Sequence, residues 1–128
     1  MGDRVLVSSG SPLEPEIGFS RAVRASQHIF VAGTAPIPPA GMESPKGLYD
    51  QTTLCLEIIE KAIVDAGGSL QHVTRTRIML TDMSSWREAA RAHGEYFGTI
   101  RPACTFVQVS RFIDPAWLVE IEADAVVV

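Results

Sequence analysis

The chain has 128 residues, of which 46% are hydrophobic and 20% are charged, and this balance is typical of a globular domain with a buried core. Its formal net charge of −4 and its isoelectric point near 5.3 count against a nucleic-acid-binding protein, which normally carries a basic surface. No apolar run reaches the roughly 20 residues of a membrane span, and no basic-then-apolar leader is present, so we expect residues 1–128 to form one cytoplasmic domain.

The amino-terminal half alternates between strand patterns and turns. Residues 4–9 predict an edge strand, and residues 10–15 are rich in turn formers. Residues 19–25 and 29–33 are strand-like and are separated by three residues, which predicts a β-hairpin. The proline- and glycine-rich stretch 35–47 predicts a loop.

Two helices are predicted in the middle of the chain. Asp50 is expected to cap the first helix, which ends at the glycine pair 67–68. The second helix is expected to start at a cap formed by Asp82 or Ser84 and to run to about residue 97. Its predicted buried stripe consists of Trp86, Ala89, Ala90, His93 and Phe97.

Three segments in the second half alternate with a period of two, which predicts strands over residues 73–80, 104–110 and 118–127. In the last of these, an apolar face opposes a face that carries three carboxylates. Alternation places the following side chains on one sheet face that the helices leave uncovered: Arg75, Arg77, Phe106, Gln108, Glu120 and Glu122. This face is either solvated or meets a ligand or another subunit. The element order predicts an α+β layer, with helices on one face of a single sheet.

The two cysteines, Cys55 and Cys104, are far apart and form no Cys-x-x-Cys pair, which is typical of reduced thiols. Together with three scattered histidines, they offer no metal-ligand spacing. The sequence also lacks a phosphate-binding glycine loop before a helix and a Gly-x-Ser-x-Gly elbow. The sequence therefore predicts no metal and no other cofactor.

Four segments, in the expected order, resemble the RidA/YjgF family of enamine/imine deaminases. They are IGFSRAVRA at residues 17–25, IFVAGTAPI at 29–37, LTDM at 80–83, and the carboxyl-terminal region that begins with RPA at 101–103 and ends in VEIEADA. The resemblance implies a chorismate-mutase-like fold, with two helices on one face of a mixed sheet. It also implies a homotrimer with small-molecule clefts between neighbouring subunits.

The resemblance further implies where a site should lie. The family glutamate that precedes Ile-Glu-Ala is Glu120 here, and it is implied to position or activate the attacking water. The family arginine that clamps a substrate carboxylate is replaced by Cys104. Three other family site positions carry Phe19, Ala32 and Ala90 instead of polar residues. The strand residues Thr105 and Phe106 complete the expected binding wall, with a backbone amide near Cys104 or Thr105 holding the polar end of the substrate.

Arg77 is the cation expected on the same sheet face as Glu120. We interpret it either as a ligand-binding residue or as an ion-pair partner of Glu120 or Glu122, and a salt bridge between subunits fits the pattern equally well. A nucleophilic couple of Cys104 with His93 is the less favoured interpretation. The apolar stripe around His93 is typical of a packed core histidine, and Cys104 is typical of a small apolar filler.

The resemblance therefore implies a homotrimer that binds a small metabolite and hydrolyses an imine or enamine, with Glu120 as the acid/base. Because Cys104 replaces the arginine, substrates without a carboxylate, or with it elsewhere, are favoured over 2-aminoacrylate. A non-catalytic sensor or scaffold is the alternative. A ribonuclease or translation inhibitor, as attached to relatives, is disfavoured by the acidic isoelectric point.

Overall fold

The computed structural model describes residues 3–128, which form six strands, three α-helices and two short 3₁₀ turns. The strands are β1 Arg4–Val7, β2 Ala22–Ala25, β3 His28–Thr34, β4 Val73–Leu80, β5 Ala103–Gln108 and β6 Val119–Val126. The α-helices are α1 Leu13–Ile17, α2 Leu48–Asp65 and α3 Trp86–Phe97, and the 3₁₀ turns are Leu70–His72 and Met83–Ser85.

All six strands form one mixed sheet in the order β1-β2-β3-β6-β4-β5. Every neighbouring pair is antiparallel except β4 and β5, which are parallel. The predicted hairpin of β2 and β3, the edge strand β1 and the loop over 35–47 are confirmed. The α+β layer predicted from the element order is confirmed as well.

The core lies between this sheet and α2. In β6, the alternating residues Val119, Ile121, Ala123 and Ala125 are buried, as the sequence predicts. They pack in one cluster with Cys55, Leu56, Ile59 and Ile63 of α2. Each fully buried aliphatic side chain of this size contributes roughly 2 kcal/mol, so these two stripes supply much of the hydrophobic free energy of folding. Within residues 3–128, no helix is both long and apolar enough to cross a membrane.

A short helix, α1, occupies part of the segment predicted to be turn. Pro12 precedes it with φ of −65°, which is already a helical value, and Gly18 ends it with φ of 93° in the left-handed region. Proline before and within the first turn costs a helix little, because the amide protons there have no intrahelical acceptor. The fold therefore has a third α-helix in addition to the two predicted.

The prediction that Asp50 caps α2 is wrong by one turn, because the helix begins at Leu48 after an extended Gly47. Leu48 and Gln51 are both buried, so the first turn is fixed by packing instead of by a capping side chain. Asp50 lies within that turn, where the positive end of the helix dipole stabilises its carboxylate. Asp82 caps the 3₁₀ turn Met83–Ser85, where it accepts a hydrogen bond from the Ser84 amide at 2.9 Å, whereas α3 follows Ser85, whose side chain makes no capping hydrogen bond.

The predicted buried stripe of α3 is only partly correct. Ala89, Ala92 and Phe97 are buried, whereas Trp86 is 39% exposed. The helix thus packs through two alanines and the large Phe97 ring, whereas Trp86 lies exposed at its amino-terminal end.

The placement of Phe106 and Gln108 on the uncovered sheet face is also wrong. In the parallel pairing of β4 with β5, Phe106 lies opposite Ile78 and Gln108 opposite Leu80, both of which are buried on the helix side. The residue that neighbours Arg77 on the uncovered face is Thr105. No tight turn connects β4 to β5, so local sequence cannot fix which face each β5 side chain takes.

Substitution of Gly94 tests the helical conformation and open surroundings of this residue in α3. It lies within α3, and a Cβ atom at this position would meet nothing within 4 Å. We expect Gly94→Ala to raise the free energy of unfolding by about 1 kcal/mol, because alanine loses less backbone entropy in a helix. Chemical denaturation at fixed protein concentration measures the change.

Gly67→Ala is the matched control for this substitution. Gly67 has φ of 89°, and its added Cβ would lie 2.8 Å from Nη1 of Arg24. This variant should lower the free energy of unfolding. A lowered value for Gly94→Ala would contradict the open environment described for α3.

Candidate functional site

A cavity of about 810 Å³ opens between α1, the loop that follows β3, and the outer side of α2. Glu120, Arg21, Phe19 and Gly33 lie in its wall. Much of the remaining wall is apolar and includes Leu13, Ile37, Leu54, Ile58, Ile113 and Trp117. A concave, mainly apolar pocket with a few convergent polar groups is the usual form of a small-molecule site.

Glu120 is the acid/base candidate in this wall. It is the second residue of β6 and is half-buried. Its Oε1 atom would lie 3.1 Å from a Cβ atom built on Gly33, at the point where the pairing of β3 with β6 becomes irregular. Burial raises the pKa of the Glu120 carboxyl, and the nearby Arg21 guanidinium opposes the rise. Glu120 therefore keeps its proton to a higher pH than an exposed glutamate does.

Arg21 is a buried cation beside Glu120, and sequence reasoning did not identify it. Its Nη1 donates hydrogen bonds to the Gly33 carbonyl at 2.7 Å and to the Thr34 hydroxyl at 3.2 Å. Its Nε lies 3.6 Å from a carboxylate oxygen of Glu14, without a hydrogen-bond partner among the described residues. The only available signal was one arginine inside a strand-like segment, which is usually a solvated side chain.

Glu14 completes this buried pair from α1. Its carboxylate accepts hydrogen bonds from the Ser9 amide at 3.2 Å and from the Ser9 hydroxyl. Burial pushes the pKa of Glu14 upward, but the serine hydrogen bonds and the Arg21 charge outweigh it and lower the pKa. Arg21 thus connects α1 to β3 and brings a positive charge next to Glu120.

Gln51 is a second structural determinant that the sequence analysis missed. Its side-chain amide donates to the carbonyls of Pro45 at 3.0 Å and Ala116 at 3.1 Å, and its oxygen accepts from the Leu118 amide at 2.8 Å. One buried side chain therefore fastens two irregular segments to α2. One of these segments leads directly into β6, so Gln51 helps to fix the start of the strand that carries Glu120.

The predicted site residues divide into separate groups. Phe19 and Glu120 share the large cavity. Ala32 and Arg77 line a second cavity, of about 590 Å³, to which Phe19 also contributes. Arg77 pairs with Glu122 at 2.9 Å and with Asp124 at 3.5 Å in the same chain. Of the two partners proposed for Arg77, the structure thus supplies Glu122 and not Glu120.

The predicted residues on β5 and α3 do not line the Glu120 cavity. Cys104 and Thr105 are exposed on β5, which is an edge strand of the sheet. Phe106 packs edge-on against Trp86, with 6.1 Å between the ring centroids, and Ala90 is half-buried on α3. A single chain therefore does not bring these residues together with Glu120.

His93 does not form the couple with Cys104. Its Nε2 lies 2.9 Å from the hydroxyl oxygen of Thr76, and its ring packs on Phe97 with 4.7 Å between the centroids. Burial lowers the pKa of His93, which favours the neutral ring of a packed histidine. Both cysteines are free thiols, Cys55 buried and Cys104 exposed. Over residues 3–128, no three His, Cys, Asp or Glu side chains gather as a possible metal site.

Comparisons with known proteins cover nearly the whole chain. A family model described as Endoribonuclease L-PSP matches residues 9–127. The crystal structure of Rv2704 from Mycobacterium tuberculosis, a member of the YjgF/YER057c/UK114 family, has a TM-score of 0.90 and 46% identity, covering 98% of this chain and 100% of that one. A RutC family protein of Pyrococcus horikoshii is 37% identical over 94% of this chain and 95% of its own. The 3-aminoacrylate deaminase RutC of Acinetobacter baylyi is 31% identical over 98% of each chain.

The raised pKa of Glu120 predicts a pH-dependent effect of Glu120→Gln on stability. Below the unfolded pKa of about 4.3, the carboxyl is protonated in both states and contributes no difference. As the pH rises, the unfolded chain loses this proton first, so stability is lost until the folded pKa is passed. Because glutamine does not titrate, the Glu120→Gln variant does not lose this stability as the pH rises.

We therefore expect the free energy of unfolding of Glu120→Gln, relative to the wild type, to increase from pH 4 to pH 8. Denaturant titrations across this range measure the difference. A difference that stays constant with pH would show that burial does not raise the pKa of the Glu120 carboxyl.

Gln51→Leu should lower the free energy of unfolding by about 2 kcal/mol, because the Leu118 amide and two carbonyls lose a buried partner. Gln71→Leu is the control, since Gln71 is exposed, and it should change stability by less than about 0.5 kcal/mol. Equal effects of the two substitutions, measured by denaturation, would contradict the role assigned to Gln51.

Proposed function

The chain belongs to the endoribonuclease L-PSP family, which includes the RidA/YjgF proteins, and we propose that it hydrolyses an imine or enamine to a carbonyl compound and ammonia. The observation that carries this proposal is the half-buried Glu120, whose pKa is raised, in the wall of an 810 Å³ cavity. A 31% identical relative named 3-aminoacrylate deaminase supports the same reaction type.

Glu120 acts as the general acid/base in the proposed reaction. An enamine first gains a proton on carbon and loses one from nitrogen, which gives the imine. Water then adds to the C=N carbon while the Glu120 carboxylate takes a proton from the water and the nitrogen gains one, which gives a carbinolamine. The protonated Glu120 carboxyl then returns its proton to the nitrogen, the C–N bond breaks and ammonia leaves, and the remaining hydroxyl proton passes to water as the carbonyl forms. The sum is one imine plus one water, giving one carbonyl compound and one ammonia.

We propose that the active form is a homotrimer whose ligand sites lie between neighbouring subunits. Two large apolar side chains on the uncovered sheet face support this, because Leu6 is 61% exposed and Phe30 is 50% exposed in one chain. A second copy that placed its exposed β5 edge at the cavity would bring Cys104 and Thr105 to Glu120. This arrangement would unite the predicted site residues that one chain keeps apart.

An altered substrate range follows from Cys104. A thiol cannot make the two parallel hydrogen bonds by which a guanidinium holds a carboxylate, so this position no longer selects 2-imino acids. The same replacement favours one alternative, a non-catalytic protein that binds a metabolite on the family scaffold. Hydrolysis measurements separate the two.

The direct test is imine hydrolysis measured against semicarbazide, which traps imines released by an oxidase. We expect the wild type to divert imine from the trap. Glu120→Gln should lower the rate at least 100-fold, a typical loss when a general acid/base is removed. Glu60→Gln is the matched control, because Glu60 is exposed on α2 and does not line the cavity.

If the wild type hydrolysed imines no faster than buffer alone does, hydrolysis would be rejected and the non-catalytic binding protein would be favoured. A Glu120→Gln variant with full activity would reject Glu120 as the acid/base.

The trimer proposal predicts that Arg77→Ala weakens assembly without lowering the hydrolysis rate per assembled protein. Removing Arg77 leaves Glu122 and Asp124 as adjacent like charges on the uncovered face. Sedimentation velocity across a concentration series measures the assembly, and Lys46→Ala, in the exposed loop, is the control. Intact assembly with lost hydrolysis would instead place Arg77 in the ligand site.

A further inference from the structure

Arg21 is held in place by contacts within its own chain. Its backbone amide donates to the Val7 carbonyl at 2.8 Å, and its carbonyl accepts from the Ala32 amide at 2.9 Å. Its side chain is only 6% exposed in a single chain, and a neighbouring subunit can only reduce that exposure. The position of this guanidinium is therefore set within one chain, whatever residues a neighbour adds to the cavity.

The Arg21 guanidinium holds the irregular end of β3 beside Glu120. Its Nη1 donates to the Gly33 carbonyl at 2.7 Å and to the Thr34 hydroxyl at 3.2 Å, and this hydroxyl donates to the Ala32 carbonyl at 2.8 Å. Oε1 of Glu120 would lie only 3.1 Å from a Cβ atom built on Gly33. The Glu120 carboxyl thus lies against the residue whose carbonyl Arg21 binds.

Arg21 also places a positive charge near Glu120. Both side chains lie in the wall of the same cavity, and Arg21 is buried, so water screens its charge weakly. Burial raises the pKa of Glu120, and the Arg21 guanidinium opposes this rise. The proposed addition of water needs the ionised form of Glu120, because the carboxylate takes a proton from the water.

Glu14 limits the effect of this charge. One of its carboxylate oxygens lies 3.6 Å from Nε of Arg21, and both side chains are buried. Burial pushes the pKa of Glu14 upward, but hydrogen bonds from serines and the Arg21 charge lower it, so this carboxyl is ionised near neutral pH. Its negative charge cancels part of the potential that Arg21 produces at Glu120. The two charges of the pair therefore act on Glu120 in opposite directions.

The other groups that face Glu120 are neutral or better exposed to water. On the neighbouring strands, Gly33 of β3 and Met79 of β4 carry no charge. Burial, followed by the negative charge of Glu120, raises the pKa of the Cys55 thiol, which is therefore neutral. Within residues 3–128, the remaining charged side chains of the cavity wall lie on α2 and are Glu57, Lys61 and Asp65. Lys61 is 78% exposed and pairs with Asp65 at 2.8 Å, so solvent screens its effect in one chain.

We infer that Arg21 is a positioning residue for the proposed hydrolysis, because it holds the end of β3 beside Glu120 and its charge, moderated by Glu14, favours the carboxylate form of Glu120. This inference rests on the proposed function and adds two residues to it. Arg21 acts through Glu120, and no contact of Arg21 with the substrate is required.

The pH dependence of imine hydrolysis tests this role, because a purely structural defect would lower the rate equally at every pH. Arg21→Gln should move the acidic limb of kcat/KM to higher pH, since Glu120 loses the cation that favours its carboxylate. We expect a loss of about fivefold at pH 8.5, from the lost hydrogen bonds, and of about fiftyfold at pH 6.

Glu14→Gln should move the same limb in the opposite direction. Glutamine can still accept the hydrogen bonds of Ser9, but it no longer cancels the Arg21 charge. The acidic limb should therefore move to lower pH. Opposite shifts from two substitutions in one buried pair are not expected from a loss of packing.

Arg21→Lys separates the charge from the hydrogen bonds. Lysine keeps the positive charge but lacks the planar fork that spans Gly33, Thr34 and Glu14. We expect the acidic limb to stay at its wild-type position while the rate falls about fivefold at every pH. A limb that moves with Arg21→Lys as far as with Arg21→Gln would reject the role of the charge.

Two further variants guard against misfolding. Arg21→Gln leaves Glu14 buried without its counter-ion, so the double variant Glu14→Gln/Arg21→Gln replaces the pair by two neutral amides and should show the same upward shift of the limb. Arg24→Gln is the matched control, because Arg24 also binds two carbonyls, those of Ser26 and Ala66, but does not line the cavity. It should leave the limb in place.

Differences between these variants isolate the pair even in an assembled protein. A neighbouring subunit brings the same residues to Glu120 in every variant, so their contribution cancels when the acidic limbs are compared. Sedimentation velocity checks that each variant assembles as the wild type does.

NMR titration of carbon-13-labelled glutamate carboxyls gives a measurement that needs no activity, with Glu120→Gln to assign the Glu120 signal. Its midpoint should rise in Arg21→Gln, fall in Glu14→Gln and stay unchanged in Arg24→Gln. If the wild type hydrolyses no imine, the proposed function fails, and these midpoints still decide whether Arg21 governs the ionisation of Glu120.

Three results would overturn the inference. They are a Glu120 midpoint that Arg21→Gln leaves in place, a loss of rate in Arg21→Gln that is equal at every pH, and shifts of the same direction in Arg21→Gln and Glu14→Gln. An acidic limb that moves with Lys61→Gln but not with Arg21→Gln would assign the effect to Lys61 instead. In each of these cases, a rate that depends on Glu120 would leave the proposed hydrolysis intact.

Discussion

The candidate site depends on one buried positive charge, that of Arg21. A guanidinium withdrawn from water must be paired and hydrogen-bonded, because an unpaired buried charge costs several kcal/mol. Arg21 donates hydrogen bonds to the Gly33 carbonyl and the Thr34 hydroxyl, and the Glu14 carboxylate pairs with its charge at 3.6 Å. The requirement draws the five-residue helix α1 onto the end of β3, and that contact closes one side of the cavity.

The same charge separates the behaviour of two glutamates. Both Glu14 and Glu120 feel the attraction of Arg21 and the penalty of burial. Hydrogen bonds from serines and the Arg21 charge outweigh burial at Glu14 and lower its pKa. Glu120 has no such support, burial dominates, and its pKa rises. Two carboxyls near one cation thus differ in the direction of their pKa shifts, which is downward at Glu14 and upward at Glu120.

The sequence could predict features that depend on neighbouring residues, but not contacts between residues far apart along the chain. Strict alternation identified the buried face of β6, and the glutamate on its other face was found because that strand matches a family pattern. Arg21 and Gln51 were missed, because their partners lie up to 67 residues away and leave no local periodicity. The sides of β5 were assigned wrongly for a related reason. The chain passes from β4 to its parallel neighbour β5 through α3, so the local sequence does not fix which residues of the two strands pair.

Gly33 explains how one strand serves two purposes. Glu120 and Glu122 are two residues apart on β6, yet one lines the cavity and the other pairs with Arg77. The Glu120 carboxyl lies where a side chain at position 33 would crowd it, at the point where the pairing of β3 with β6 is irregular. A glycine there leaves room for Glu120 beside the chain segment that Arg21 holds. Within one chain, Glu120 is therefore positioned without any contribution from Cys104, which lies on the edge strand β5.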